Sequence, residues 1–231
     1  MSTTAAAAAL VPTPAGDARV TTYAATGRPV GLLALGHGAG GGVEAADLQA
    51  LAGALPSLGI AVALVEQPWR VAGKRIAPAP KTLDAAWLPV AEWLTASSAA
   101  VPLLVGGRSA GARVACRTAA ASGAAGVLAL AFPLHPPGRP DRSRADELLG
   151  TGLPTLTVQG AKDPFGAPGE FPALPPTHRL LALPHGNHSF AVPRSAAVDA
   201  ADLLALITDA VAEWASAVLA GAAAAAAGGQ R

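Results

Sequence analysis

VPLLVGGRSAGARVAC, residues Val101 to Cys116, is the stretch that decides the fold. It opens as a short apolar β-like run, passes through Gly106 and Gly107, and continues from Ala110 with helix-forming residues. Gly107-Arg108-Ser109-Ala110-Gly111 fits G-x-S-x-G. A serine at a sharp strand-to-helix turn sits in strained backbone with its Oγ pushed above the sheet edge. Flanking glycines have no Cβ to collide with the neighbouring strand and helix. The following helix turns its N-terminus, with free backbone N–H groups, toward the same point. A five-residue match alone is weak in a chain so rich in Ala and Gly; the strand before it and the helix after it give it weight. Ser109 is therefore the candidate nucleophile.

Working outward, apolar runs suited to buried strands occupy Val30–Leu35, Ile60–Val65, Gly126–Phe132, Thr155–Gln159 and His178–Leu183. Ala18–Tyr23 alternates weakly and reads as an edge strand. Between these runs lie helical patterns over Glu44–Leu55, Leu83–Ser97 and Ala196–Leu219, with a short helix expected over Ser143–Leu149. Strand and helix alternate almost throughout. That predicts an α/β fold: one mainly parallel sheet with helices on both faces and ligands at the carboxyl ends of the strands. The domain is expected over residues 17–220, between a disordered tail at 1–16 and a low-complexity tail at 221–231.

The 231 residues suit one domain. Charged residues make up only 13% and the formal net charge is +1, so nothing argues for nucleic acid or an anionic membrane as partner. The single Cys116 excludes an internal disulfide and offers no metal framework. The Ala-rich N-terminus lacks the positive segment of a signal peptide. No stretch is read as approaching the ~20 apolar residues that span a bilayer. A cytoplasmic location is the resulting expectation.

A serine nucleophile needs a base, and the base needs an orienting acid. Asp163 follows the strand Thr155–Gln159 in the turn GAKDP, and no other Asp stands directly after a strand. The competing reading is that Asp163 merely starts an Asp-Pro turn. His185 and His188 both follow the last strand; His188, deeper in the loop, is better placed to bend back over the serine. The loop GHGAG after Val30–Leu35 can turn N–H groups inward. Ala39, or alternatively Gly40, would then pair with the Ala110 N–H as an oxyanion hole. His37 reads as a brace of that loop. Neither G-K-[ST] nor G-x-G-x-x-G follows the glycines, which argues against a nucleotide site.

Four segments together resemble the α/β-hydrolase superfamily: GGRSAGARVA, LGHGAG, VQGAKDPFG and GNHSF. More narrowly they are similar to the small domain shared by NSL-complex subunit 3 and testis-expressed protein 30, a group related to dienelactone hydrolases. The resemblance covers roughly Val20 to Leu219 and implies a Ser109–Asp163–His188 triad in the superfamily's chain order. Dienelactone hydrolases carry a cysteine where this chain has Ser109, so their substrate does not carry over. Some members of the narrower group look like assembly subunits.

The connection from Pro133 to about Leu153 is too short for a cap domain, which predicts an open site for a small soluble acyl substrate. Gly38, Gly40, Arg108, Trp69 and Arg70 are candidate substrate contacts. The basic loop Glu66–Lys81 suits an anionic acyl group or is simply solvated. Arg108 is either a pocket residue or a surface residue packed over the turn. The leading expectation is a serine hydrolase, carboxylesterase-like, acting on an ester, thioester or amide without metal or cofactor. The alternatives are a non-catalytic scaffold of the same fold, and a peptidase or acyltransferase using the same three residues. The chain leaves monomer and homodimer open.

Overall fold

The computed structural model describes residues 6–98 and 100–228. Eight strands form one sheet in the order β1-β2-β4-β3-β5-β6-β7-β8. They are β1 (Ala6–Thr13), β2 (Gly16–Tyr23), β3 (Gly31–Gly36), β4 (Ile60–Glu66), β5 (Leu103–Arg108), β6 (Gly126–Leu130), β7 (Thr155–Gly160) and β8 (His178–Leu183). From β4 to β8 every pairing is parallel; β1 and β2 are antiparallel additions at one edge. The helices are α1 (Ala46–Ala54), α2 (Pro68–Val71), α3 (Pro80–Ser97), α4 (Ala110–Thr118), α5 (Ala145–Leu149) and α6 (Ala200–Gly228).

The central strand runs are predominantly apolar because both faces of the sheet are covered. Leu32 and Ala34 of β3, with Leu103 and Val105 of β5, pack against Trp87, Val90 and Leu94 of α3 and Val114 of α4. Their neighbours Leu33, Leu35 and Leu104 face the other way, onto Leu48 and Leu51 of α1 and Ile207, Val211 and Trp214 of α6. Alternation along a pleated strand assigns each leucine to one layer or the other. The central strands end at Gly36, Glu66, Arg108, Leu130 and Gly160 on one edge of the sheet, and there the candidate site lies.

Four expectations need correction. Most of the expected N-terminal tail is strand: Ala6–Thr13 pairs along its whole length with β2, through the turn at Pro14-Ala15. Alanine has little strand preference of its own; Val11, 3% exposed, anchors this run in the core. Consequently β2 is not the edge strand. At the other end α6 continues to Gly228, eight residues of Ala and Gly past Ala220, because alanine propagates a helix that is already docked. Residues 1–5 and 229–231 of the two expected tails lie outside the described residues. Third, the loop after β4 contains the short α2. Finally, α6 is long and apolar enough to meet the length-and-hydropathy criterion for crossing a membrane, with a mean hydropathy of 1.6. Its alanines carry that value, and its Leu203–Ile207–Val211–Trp214 stripe is buried on the sheet.

Candidate active site

Ser109 joins β5 to α4 at φ 52°, ψ −111°. This is a left-handed conformation that L-residues adopt only under constraint. The constraint is visible: the Ser109 N–H donates to Leu130 O of the adjacent strand at 2.9 Å. The next turn of α4 is pressed against β3, where a Cβ on Gly111 would lie 2.6 Å from the carbonyl carbon of Gly36. Only glycine permits that approach, and the serine is thereby lifted above the sheet edge.

The β7 and β8 loops meet it there. His188 Nε2 lies 2.9 Å from Ser109 Oγ, and His188 Nδ1 lies 2.8 Å from Asp163 Oδ2. Asp163 is 3% exposed. Its Oδ1 accepts from the Phe165 N–H at 2.8 Å and its Oδ2 from Gln159 Nε2 at 2.9 Å. A carboxylate with these donors holds an imidazole with Nδ1–H toward itself and leaves Nε2 as the acceptor facing the hydroxyl. Asp163 also forms the turn expected of Asp-Pro, with Gly166 N–H donating to its carbonyl at 3.2 Å. The turn and the contact with His188 are therefore compatible in one residue. The Phe165 ring lies against His188 at 4.2 Å between centroids.

His185 is exposed in a turn at φ 61°. His135 pairs with Glu170 at 3.0 Å, and His178 lies 3.1 Å from Thr151 Oγ1. Of the histidines, His188 is the one brought to Ser109.

The loop after β3 lies beside the serine: a Cβ on Gly38 would be 3.4 Å from Ser109 Cβ. His37 braces it. Nδ1–H donates to Gly38 O at 2.8 Å, and Nε2 accepts the Gln67 N–H at 3.1 Å. Burial lowers the pKa of this imidazole below the ordinary histidine range, opposed by the hydrogen bond to Gly38. That suits a neutral ring which donates on one side and accepts on the other. Ala39 and Gly40 are exposed. Ala39 and Ala110 both line a small cavity of about 10 Å³, together with His37, Trp69 and Val114. Of the expected substrate contacts, Trp69 is buried and packs on His37 with 5.6 Å between centroids. Arg70 pairs with Glu44 at 3.6 Å. Arg108 turns toward the His188 loop, where Nη2 donates to His188 O at 2.6 Å.

Three supporting residues escape a reading of the sequence. Gln159, fully buried, directs its Nε2 at Phe132 O (3.2 Å) and Gly166 O (2.8 Å) as well as at Asp163. In the strand pattern it is simply the polar residue before a glycine. Asn187 Oδ1 accepts from the N–H groups of Ser189 and Ala191, at 2.8 and 3.0 Å, and so shapes the loop carrying His188. An Asx turn is the one local signal available there. Asp47 is 3% exposed in the first turn of α1, where an aspartate ordinarily faces water.

A family model described as an alpha/beta hydrolase domain matches residues 29–216. Among solved structures, a lidless a/b serine hydrolase from Xanthomonas campestris is 23% identical, with a TM-score of 0.71 over 91% of this chain and 95% of that one. Dienelactone hydrolase from Anabaena variabilis is 19% identical, with a TM-score of 0.68 over 92% and 97%. Est1E from Butyrivibrio proteoclasticus is 14% identical, with a TM-score of 0.70 over 92% and 99%. At these identities the likeness is one of fold. No curated protein matches the chain in sequence.

Proposed function

The chain belongs to the alpha/beta hydrolase domain family, and on that premise we propose that it is a serine hydrolase for a small soluble ester, thioester or amide. Ser109 Oγ attacks the carbonyl carbon while His188 Nε2 takes its proton. Asp163 holds the imidazole tautomer and offsets the charge that develops on the ring. N–H groups of Ala39 and Ala110 receive the oxyanion; one such donor is worth about 3 kcal/mol of transition-state stabilisation. The tetrahedral adduct collapses, His188 protonates the leaving group, and Ser109 carries the acyl group. Water, deprotonated by His188, then attacks the acyl carbon; this second adduct collapses, His188 returns the proton to Ser109 Oγ, and the acid leaves.

The observation that carries this reading is the hydrogen-bonded series Ser109–His188–Asp163, at 2.9 and 2.8 Å, starting from a strained serine. One further feature favours a small acyl group. Between Leu130 and Thr155 the only helix is the five-residue α5, so no cap stands on that connection. Within the family we place the chain near the NSL-complex subunit 3 and testis-expressed protein 30 group, with serine rather than the cysteine of dienelactone hydrolases.

The test is labelling with a fluorophosphonate probe and mapping of the adduct by mass spectrometry. The expected result is an adduct on Ser109, absent in Ser109→Ala and much slower to form in His188→Ala. A folded protein that takes up no probe at neutral pH would refute an activated serine and favour a binding module on the same fold.

A further inference from the structure

We propose that Arg108 is a positioning residue: anchored beside the buried carboxylate of Asp47, its guanidinium fixes the main chain of His188 and so sets the imidazole against Ser109. The inference rests on the Ser109–His188–Asp163 reading and adds to it a second, charged attachment of the base.

Arg108 is the last residue of β5, next to the serine in sequence and held in register opposite Leu130 of β6. Its Nη2 donates to His188 O at 2.6 Å. The guanidinium carbon sits 5.8 Å from the centroid of the Phe190 ring, two residues further along the same loop. On the other side Nε is 3.2 Å from Asp47 Oδ2, with the two side chains only 15% and 4% exposed. Nε and Oδ2 are close, yet neither makes an aligned hydrogen bond. The attraction between Arg108 and Asp47 is therefore Coulombic rather than directional, while the bond to His188 is directional. One cation thus joins the nucleophile strand, the base loop and the helix that follows the oxyanion loop.

The hydrogen bonds made by Asn187 lie within the base loop and fix its shape, not its place. Arg108 holds the carbonyl of the very residue whose ring must reach Ser109. A shift of that carbonyl is a shift of Nε2, and a displacement of about 1 Å at a reacting group costs up to roughly 100-fold in rate. As a device for stability alone the pair is a poor choice. Burial raises the pKa of Asp47 above the ordinary carboxylate range, Arg108 only partly opposing it. Such ion pairs are often matched or bettered by apolar residues of similar volume. The geometry also answers the question left open by the sequence, because two of the guanidinium nitrogens are turned to the protein rather than to a substrate.

The test follows fluorophosphonate labelling rate and thermal unfolding together, on the full chain. Arg108→Met is expected to label roughly 10- to 100-fold more slowly than wild type. The double variant Arg108→Met/Asp47→Leu removes both charges. It is expected to recover the melting temperature while labelling as slowly as Arg108→Met. Arg108→Lys keeps a charge beside Asp47, but its single nitrogen cannot serve both partners, and it too is expected to label slowly. With p-nitrophenyl acetate the loss should fall on kcat with KM little changed. A double variant, or Arg108→Lys, that labels at the wild-type rate would overturn the proposal and leave the pair a structural one. If Arg108→Met does not fold, the other two variants decide alone. Wild type that stays unlabelled overturns the triad reading, and this inference with it.

Discussion

Replacing Gly111 by alanine should loosen the site and the fold together. The new Cβ would lie 2.6 Å from the Gly36 carbonyl carbon and 2.9 Å from His37 O, with Gly36 O closer still. Carbon contacts are comfortable from about 3.5 Å, so α4 and the end of β3 must part by roughly 1 Å. The obstructing atoms are backbone and cannot turn aside. Overpacking of this kind costs about 1–3 kcal/mol, against a gain of up to about 1 kcal/mol from alanine in a helix. At the middle of the overpacking range the net loss is at least about 1 kcal/mol, which lowers the melting temperature by at least about 2–4 °C. Gly36 and His37 lead directly into Gly38 and Ala39, so fluorophosphonate labelling of Ser109 should slow as well. Gly53 in α1 supplies the control, since a Cβ there would meet nothing within 4 Å. Gly53→Ala should raise the melting temperature by about 1–4 °C and leave labelling untouched. Differential scanning calorimetry on the two variants decides the matter. A Gly111→Ala protein that melts at or above wild type would refute the claim that steric closeness, not helix propensity, governs this position.

Three further outcomes are expected. Asp163→Asn should lower turnover of p-nitrophenyl acetate by about 10⁴-fold, by letting the wrong imidazole tautomer form; a loss below tenfold would remove Asp163 from the mechanism. Because burial lowers the pKa of His37, below about pH 6.5 the unfolded chain takes up a proton that the folded chain resists. Stability contributed by this residue is thus complete above that pH and declines on acidification, and His37→Asn should flatten the fall in melting temperature between pH 7 and pH 5. An unchanged slope would show that other groups set it. The Cys116 thiol is buried, and burial raises its pKa well above the ordinary range; iodoacetamide should leave it unmodified in the native protein and alkylate it on unfolding, whereas alkylation of native protein would contradict the packing of α4.

The central fold was legible because its strands are continuous apolar runs and its helices repeat leucine at helical spacing. Trp87, Val90 and Leu94 all point inward as that spacing requires. The meeting of Ser109, Asp163 and His188 was legible for a different reason: each stands just past a strand, and parallel topology brings such positions to one edge. The two ends of the chain were not legible, because alanine runs carry no periodicity. Whether Ala6–Ala9 forms strand or tail depends on a partner, β2, and on Val11 reaching the core. The supporting residues were hidden for the same physical reason. The direction of Arg108 is fixed by a contact 80 residues away and Gln159 reaches back 27 residues to Phe132 as well as to its own turn, and no local pattern encodes such partners.

The strained backbone at Ser109 bears on any attempt to improve the protein by selection. A non-glycine residue held at φ 52° stores about 1–3 kcal/mol, and glycine would relieve much of it. Heat resistance and chemistry therefore pull this one codon in opposite directions. A library screened only for survival at high temperature should enrich Ser109→Gly, a sturdier chain with no hydroxyl. Useful variants will come from screens that score the probe adduct and the melting point in the same clone.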